Sequence, residues 1–141
     1  MKTTARNALS GTIDAVTDGA VNAEVSLDIG EGRKVIAIVT ADSVADLGLA
    51  PGRPATALIK SSFLILVPGD QAPRSSARNG FQGEIVRRED GAVNSEIVLA
   101  IGAGKTLTAI VTLESARSLG LNEGTRASAL IKASHVILAV D

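Results

Sequence analysis

Gly19-Ala20-Val21-Asn22-Ala23-Glu24-Val25-Ser26-Leu27-Asp28-Ile29-Gly30 is the stretch on which the architecture turns. Val21, Ala23, Val25, Leu27 and Ile29 alternate with Asn22, Glu24, Ser26 and Asp28. That period of two puts one face of a β-strand into a core and the other toward solvent. Gly30-Glu31-Gly32 supplies a turn, and Lys34 to Thr40 reads as the returning strand. The opening tetrapeptide recurs as Gly91-Ala92-Val93-Asn94, an offset of 72 from residue 19 to residue 91. The strand therefore belongs to a repeated unit.

The same offset relates Thr4-Ala5-Arg6-Asn7 to Ser76-Ala77-Arg78-Asn79, and Ile38-Val39-Thr40 to Ile110-Val111-Thr112. It also relates Leu47-Gly48-Leu49 to Leu119-Gly120-Leu121, and Leu58-Ile59-Lys60 to Leu130-Ile131-Lys132. The copies align without a gap, and roughly half of the aligned positions are identical. The junction, Pro68-Gly69-Asp70-Gln71-Ala72-Pro73-Arg74-Ser75, has the composition of a linker. The reading is a first repeat over 1–68, a linker over 69–75 and a second repeat over 76–141.

Around the deciding strand, each unit predicts four more strands and one helix. An opening strand lies near Leu9 to Val16. Ala41 to Leu47 fits a short helix, with Thr40 as N-cap and Gly48 as its stop. Pro51-Gly52 turns the chain into two short strands, Thr56 to Lys60 and Phe63 to Val67. Five strands with a helix between the third and fourth match an OB-like barrel. The expected class is mainly β: two tandem OB-like five-stranded β-barrels, each with one short helix. A unit of about 65 residues is near the lower limit for a self-sufficient core, so packing against its copy or other chains is expected. In the second unit Val98 and Ala100 replace Ser26 and Asp28, which predicts a covering surface over that strand.

Composition narrows the function. The 141 residues are 45% hydrophobic and 21% charged, with net charge −1. Cysteine is absent, which removes disulfides, thiolate nucleophiles and Cys-based zinc sites. His135 is the only histidine, and no paired-carboxylate motif accompanies it, so no enzyme is expected. Phe63 and Phe81 are the only aromatic residues in a slightly acidic chain. Nucleic-acid binding, common among OB folds, would need stacking aromatics and a basic groove, so no nucleic-acid partner is expected. A ligand-free oligomerisation module is the remaining alternative. The N-terminus has no apolar signal region, and the longest apolar stretch, Phe63 to Val67, is strand-sized. The expectation is a cytoplasmic protein with no membrane partner.

The repeated polar residues carry the chemistry: Arg6/Arg78, Asn7/Asn79, Asn22/Asn94, Thr40/Thr112, Ser43/Ser115 and Lys60/Lys132. Nearly all are hydrogen-bond donors. Thr40 and Ser43 sit at the start of a predicted helix, where unpaired N–H groups favour an anion. Two hydroxyls with an Arg and a Lys would make a donor-rich pocket for a small oxyanion. A purely structural alternative has Thr40 capping the helix while Arg6 and Lys60 are solvated charges. His135 aligns with Phe63 and reads as a partly buried structural residue. Arg87-Arg88-Glu89-Asp90 reads as a solvated hairpin end.

Thr/Ser-Ala-Arg-Asn near each start, Gly-Ala-Val-Asn, Val-Thr before a short helix and Ile-Lys-x-Ser before the last strand resemble the Mop domain. The double copy resembles the di-Mop molbindins over essentially the whole chain. The resemblance implies an OB-like fold, binding of molybdate or tungstate for intracellular molybdenum storage or homeostasis, and a homotrimer. It implies sites between domains or subunits. One side brings Thr4 and Arg6, or Ser76 and Arg78. The other brings Thr40, Ser43 and Lys60, or Thr112, Ser115 and Lys132. Thr4 replaces the family's more usual serine and keeps the hydroxyl. Asn22 and Asn94 are the candidates for a further site on a threefold axis. The implied ligand is an intact tetrahedral dianion with no metal directly coordinated by the protein.

Overall fold

The computed structural model describes residues 1–141. The first repeat forms β1 (Asn7–Asp18), β2 (Asn22–Gly30), β3 (Arg33–Thr40), α1 (Ala41–Leu47), β4 (Pro54–Ile59) and β5 (Ile65–Pro68). The second forms β6 (Asn79–Asp90), β7 (Asn94–Gly102), β8 (Lys105–Thr112), α2 (Leu113–Ser118), β9 (Arg126–Ile131) and β10 (Ile137–Ala139). The expected helix over 41–47 is observed. The last strand of the first repeat starts at Ile65, two residues after the expected Phe63, and that of the second at the equivalent Ile137, because Ser61–Phe63 and Ala133–His135 are single 3-10 turns. Phe63 and His135 donate their backbone N–H to the carbonyls of Lys60 and Lys132 at 3.0 and 2.9 Å, which holds both residues out of the strand.

The strands make two curled, antiparallel five-stranded sheets, ordered β10-β4-β1-β2-β3 and β5-β9-β6-β7-β8. In the first, edge strands β10 and β3 come back toward each other, as β5 and β8 do in the second. Each sheet thus curls toward a barrel around its own core. Val25, Leu27, Val35, Ala37, Ile13 and Ile59 fill the first core, and Ile97, Leu99, Leu107, Ala109, Ile85 and Ile131 the second. The period-two pattern is realised from Ala23 onward: Ala23, Val25, Leu27 and Ile29 are buried and Glu24, Ser26 and Asp28 half-buried, whereas Val21, expected on the same apolar face, precedes the strand and is exposed. Val98 and Ala100 are also half-buried, so their apolar character brings no deeper cover within the chain.

Sequence repeat and folded unit do not coincide. The compact units are residues 7–59 with 132–141, and residues 1–6 with 60–131. The final strand of each repeat completes the other repeat's sheet. β10 pairs with β4 through Ile137↔Leu58 and Leu138↔Ala57, and β5 pairs with β9 through Ile65↔Leu130 and Leu66↔Ala129. The partner strands explain why this is permitted. Ala55-Thr56-Ala57-Leu58-Ile59 and Ala127-Ser128-Ala129-Leu130-Ile131 offer nearly the same edge, so an incoming Ile-Leu strand finds equivalent pockets on either.

Two repeated glycines have direct causes. Gly11 and Gly83 sit where a Cβ would meet the carbonyl oxygens of Asp28 and Ala100 at 2.1 and 2.0 Å. This close approach lets β1 and β6 lie against their neighbours beside the bulges at Ile13/Ala15 and Ile85/Arg87. Gly48 ends α1 with φ of 63°, and Leu49 is buried directly after it.

Candidate functional site

Each helix begins with the same pair of hydroxyls. Thr40 caps α1: its Oγ1 accepts the Ser43 N–H at 3.0 Å and donates to Ser43 Oγ at 2.7 Å. Thr112 and Ser115 repeat this on α2 at 3.1 and 2.7 Å. With its acceptor role filled by the threonine, each serine hydroxyl has its proton left to offer outward. The backbone contributes less than the sequence suggests. Ala41 N–H goes to Val21 O at 2.8 Å and Leu113 N–H to Val93 O at 2.9 Å, so two first-turn N–H groups of each helix are already used. The helix starts therefore offer mainly hydroxyls, flanked by the exposed carboxylates Asp42 and Glu114.

Strand exchange regroups the lysines. The resemblance to the Mop domain implies Lys60 with Thr40 and Ser43, and Lys132 with Thr112 and Ser115. In the structure the 3-10 turn that follows Lys132 packs against β3, which ends in Thr40. The turn that follows Lys60 packs against β8, which ends in Thr112. The folded groupings are Thr40, Ser43 and Lys132 in one unit, and Thr112, Ser115 and Lys60 in the other. The lysines cross because the unit boundary falls between Ile59 and Lys60, and again between Ile131 and Lys132.

In the first grouping a groove of about 370 Å³ runs along Asn22, Thr40, Ser43 and Ser134, with Leu47, Leu49, Val136 and Leu138 as its apolar wall. Asn22 is the register partner of Thr40, and Asn94 of Thr112, so the two asparagines lie beside the hydroxyl pairs. In each Gly-Ala-Val-Asn turn the asparagine carbonyl accepts the glycine N–H, at 2.9 Å for Gly19 and 2.7 Å for Gly91. Those turns leave Val21 and Val93 73% and 72% exposed, two apolar tips that only another surface could cover.

Thr4, Arg6, Ser76 and Arg78 are exposed, in the segments leading into β1 and β6. None takes part in the hydrogen bonds that fix the hydroxyl pairs. Asn7 and Asn79 have a structural role: both are buried, and their side chains donate to the carbonyls of Ile59 and Ile131 at 3.2 Å. Two sequence expectations are corrected. His135 is exposed, because the 3-10 turn lifts it off the sheet. Arg88 is no solvated hairpin charge: its side chain is 14% exposed. It donates to Asp90 at 2.8 Å, to Asn122 at 2.7 Å and to the carbonyls of Ala116 and Leu121 at 3.4 Å. The run of mixed charge concealed this, because nothing local marks which arginine faces a helix end.

No group of three or more His, Cys, Asp or Glu side chains gathers to chelate a cation. No helix is long and apolar enough to cross a membrane. The chemistry on offer is hydrogen-bond donation from hydroxyls and lysines at two equivalent places.

Comparison with known proteins follows the same outline. A model of the TOBE domain matches residues 3–66 and 75–138. The molybdenum-pterin-binding protein MopA of Rhodobacter capsulatus is 49% identical over 140 residues, covering 99% of this chain and 53% of its own. MopB of the same organism is 42% identical over 140 residues, covering 99% and 52%. The chain thus spans about half the length of the curated relatives it matches. A solved structure of ModG, a cytoplasmic molybdate-binding protein with molybdate bound, aligns over 100% of both chains with a TM-score of 0.95 and 45% identity.

Proposed function

The chain belongs to the TOBE-domain family, and from that premise we propose that it binds molybdate, or tungstate, as an intact tetrahedral dianion. The role is intracellular molybdenum storage or homeostasis, in the cytoplasm and without catalysis. The observation that carries this reading is the duplicated hydroxyl pair at each helix start, Thr40–Ser43 and Thr112–Ser115, with Lys132 in the compact unit of the first and Lys60 in that of the second. A fully deprotonated dianion accepts from every direction, and such a set meets it with hydroxyl and ammonium protons. The likeness to ModG along the whole chain supports the same ligand.

The remaining donors come from a neighbouring subunit. Thr4 and Arg6, or Ser76 and Arg78, are exposed on segments outside the sheets and supply the guanidinium and a further hydroxyl across an interface. A homotrimer is the assembly, and the exposed Val21 and Val93 tips, with Asn22 and Asn94 beside them, are the surfaces it would cover at its axis. Light scattering checks this: a stable monomer that binds the ligand contradicts both the trimer and the shared sites.

Equilibrium titration with molybdate, tungstate, sulfate and phosphate tests the function. Molybdate and tungstate should bind comparably. Hydrogen phosphate brings a proton to a set whose ammonium groups cannot accept it and whose hydroxyls are already hydrogen-bonded to each other, at a cost of about 1–3 kcal/mol, so it should bind tenfold to a hundredfold more weakly. Equal affinity for phosphate, or no heat with any of the four, refutes the proposal.

A further inference from the structure

The groove at Thr40 and Ser43 holds one hydroxyl that the donor set above leaves out. Ser134 lines that groove together with Asn22, Thr40 and Ser43. It comes from the second repeat, in the 3-10 turn Ala133–His135 that packs against β3. The turn is anchored on both sides of this serine. Ala133 and Val136 are only 4% and 3% exposed. His135 donates its backbone N–H to the Lys132 carbonyl at 2.9 Å, and Val136 donates to the Ala133 carbonyl at 3.3 Å. A short turn pinned at two core positions holds the residue between them in place, as a binding group requires.

Folding makes no use of the serine side chain. Ser134 is exposed, so core packing does not select it. The turn has no side-chain cap, and the Ser134 hydroxyl makes no hydrogen bond within the chain. The serine nevertheless recurs: Ile59-Lys60-Ser61-Ser62 and Ile131-Lys132-Ala133-Ser134 both keep it, at the offset of 72 that relates the repeats. The residue that changes between the copies is the buried one, Ser61 against Ala133.

Resting on the oxyanion reading above, we propose that Ser134 is a further donor to the oxyanion held in this groove, brought there by strand exchange. Thr40 and Ser43 supply two hydroxyls but only one outward proton. Thr40 directs its own proton to Ser43 Oγ at 2.7 Å and accepts the Ser43 N–H at 3.0 Å, so Ser43 donates alone. A deprotonated tetrahedral dianion accepts on all four of its oxygens, and one hydroxyl proton leaves most of them unmet. Ser134, whose proton is not engaged elsewhere, doubles the hydroxyl donation that the groove can offer. The facing wall of Leu47, Leu49, Val136 and Leu138 has nothing to give an anion, which confines it to the polar end where the hydroxyls lie.

Calorimetric titration of the intact protein with molybdate tests the assignment. Ser134→Ala should weaken one class of site about tenfold and leave the other at the parent's affinity. Ser134→Thr, which keeps the hydroxyl, should bind like the parent. Both variants should melt with the parent, because the position is exposed. The chain has no cysteine, so Ser134→Cys carries a single thiol. Molybdate should slow alkylation of that thiol by iodoacetamide, and should leave the rate unchanged in His135→Cys, one residue along and also exposed. If Ser134→Ala binds like the parent, or if molybdate shields both thiols alike or neither, the inference is overturned while the oxyanion reading stands. A fall in melting temperature that accompanies the weaker binding of Ser134→Ala also overturns it, by making the serine structural. If the parent binds no molybdate, the oxyanion reading fails and this inference with it.

Discussion

At the scale of single residues, duplication separates two kinds of conserved-looking polarity within one chain. Asn7 and Asn79 recur because each is buried and satisfies a strand-end carbonyl, a structural need. Arg78 and Lys132 are exposed and lie outside both cores. This contrast makes a sharp prediction. Arg78→Ala and Lys132→Ala should each weaken molybdate binding by about 1.5–3 kcal/mol, the range for hydrogen bonds to charged groups, with little change in melting temperature. Asn79→Ala should do the reverse and lower thermal stability, since it strands a buried carbonyl. Titration alongside thermal melts separates the outcomes. Lys132→Ala binding like the parent would place the site elsewhere.

Among the elements, α1 and α2 are nearly the same helix supported differently. Both begin with a threonine cap. Only α2 has a carbonyl near its C-terminus, that of Ala116, reached by an arginine from the adjoining sheet, a cation where the helix dipole favours one; the same Arg88 group also meets the Leu121 carbonyl in the loop beyond. Arg88, hydrogen-bonded to Asp90 and aided by Ser95, holds the Asp90 carboxyl below its ordinary value of 3.8. The sign follows from linkage: with a folded-state pKa below the unfolded one, the contribution is fully present above the ordinary carboxylate value. It is lost as the pH falls through the lower folded-state pKa. Acid titration of the parent should therefore loosen the second sheet's hairpin below about pH 4. Asp90→Asn should flatten that part of the acid dependence in a thermal-melt series, and an unchanged acid profile would show the pair to be inert.

Across the whole molecule, the exchanged strands determine how the repeats depend on each other. Deleting residues 137–141 should remove the strand that pairs with β4 and expose that edge of β4. Amide hydrogen exchange should then quicken in Thr56–Leu58 of the first repeat, while β9 of the second keeps its β5 partner. Loss of protection in β9 instead would mean that each repeat closes on itself. The same exchange makes the proposed oxyanion sites composite, since each hydroxyl pair shares a compact unit with the lysine of the other repeat.

The sequence alone determined the strand pattern, the helix over 41–47 with its threonine cap, and the duplication, because each depends on local periodicity or on text repeated at a fixed offset. It also determined the roster of donors, since a residue type and its recurrence can be read without coordinates. Which lysine joins which hydroxyl pair was decided only by tertiary structure. The edges of β4 and β9 are almost identical in sequence, so β5 and β10 satisfy the same apolar pattern whether or not they cross. Local preference is degenerate between the two arrangements, and only the path of the chain through the turns after Ile59 and Ile131 distinguishes them. The burial of Arg88 and the exposure of His135 were hidden for a related reason: each depends on what packs across from the residue, not on its neighbours in sequence.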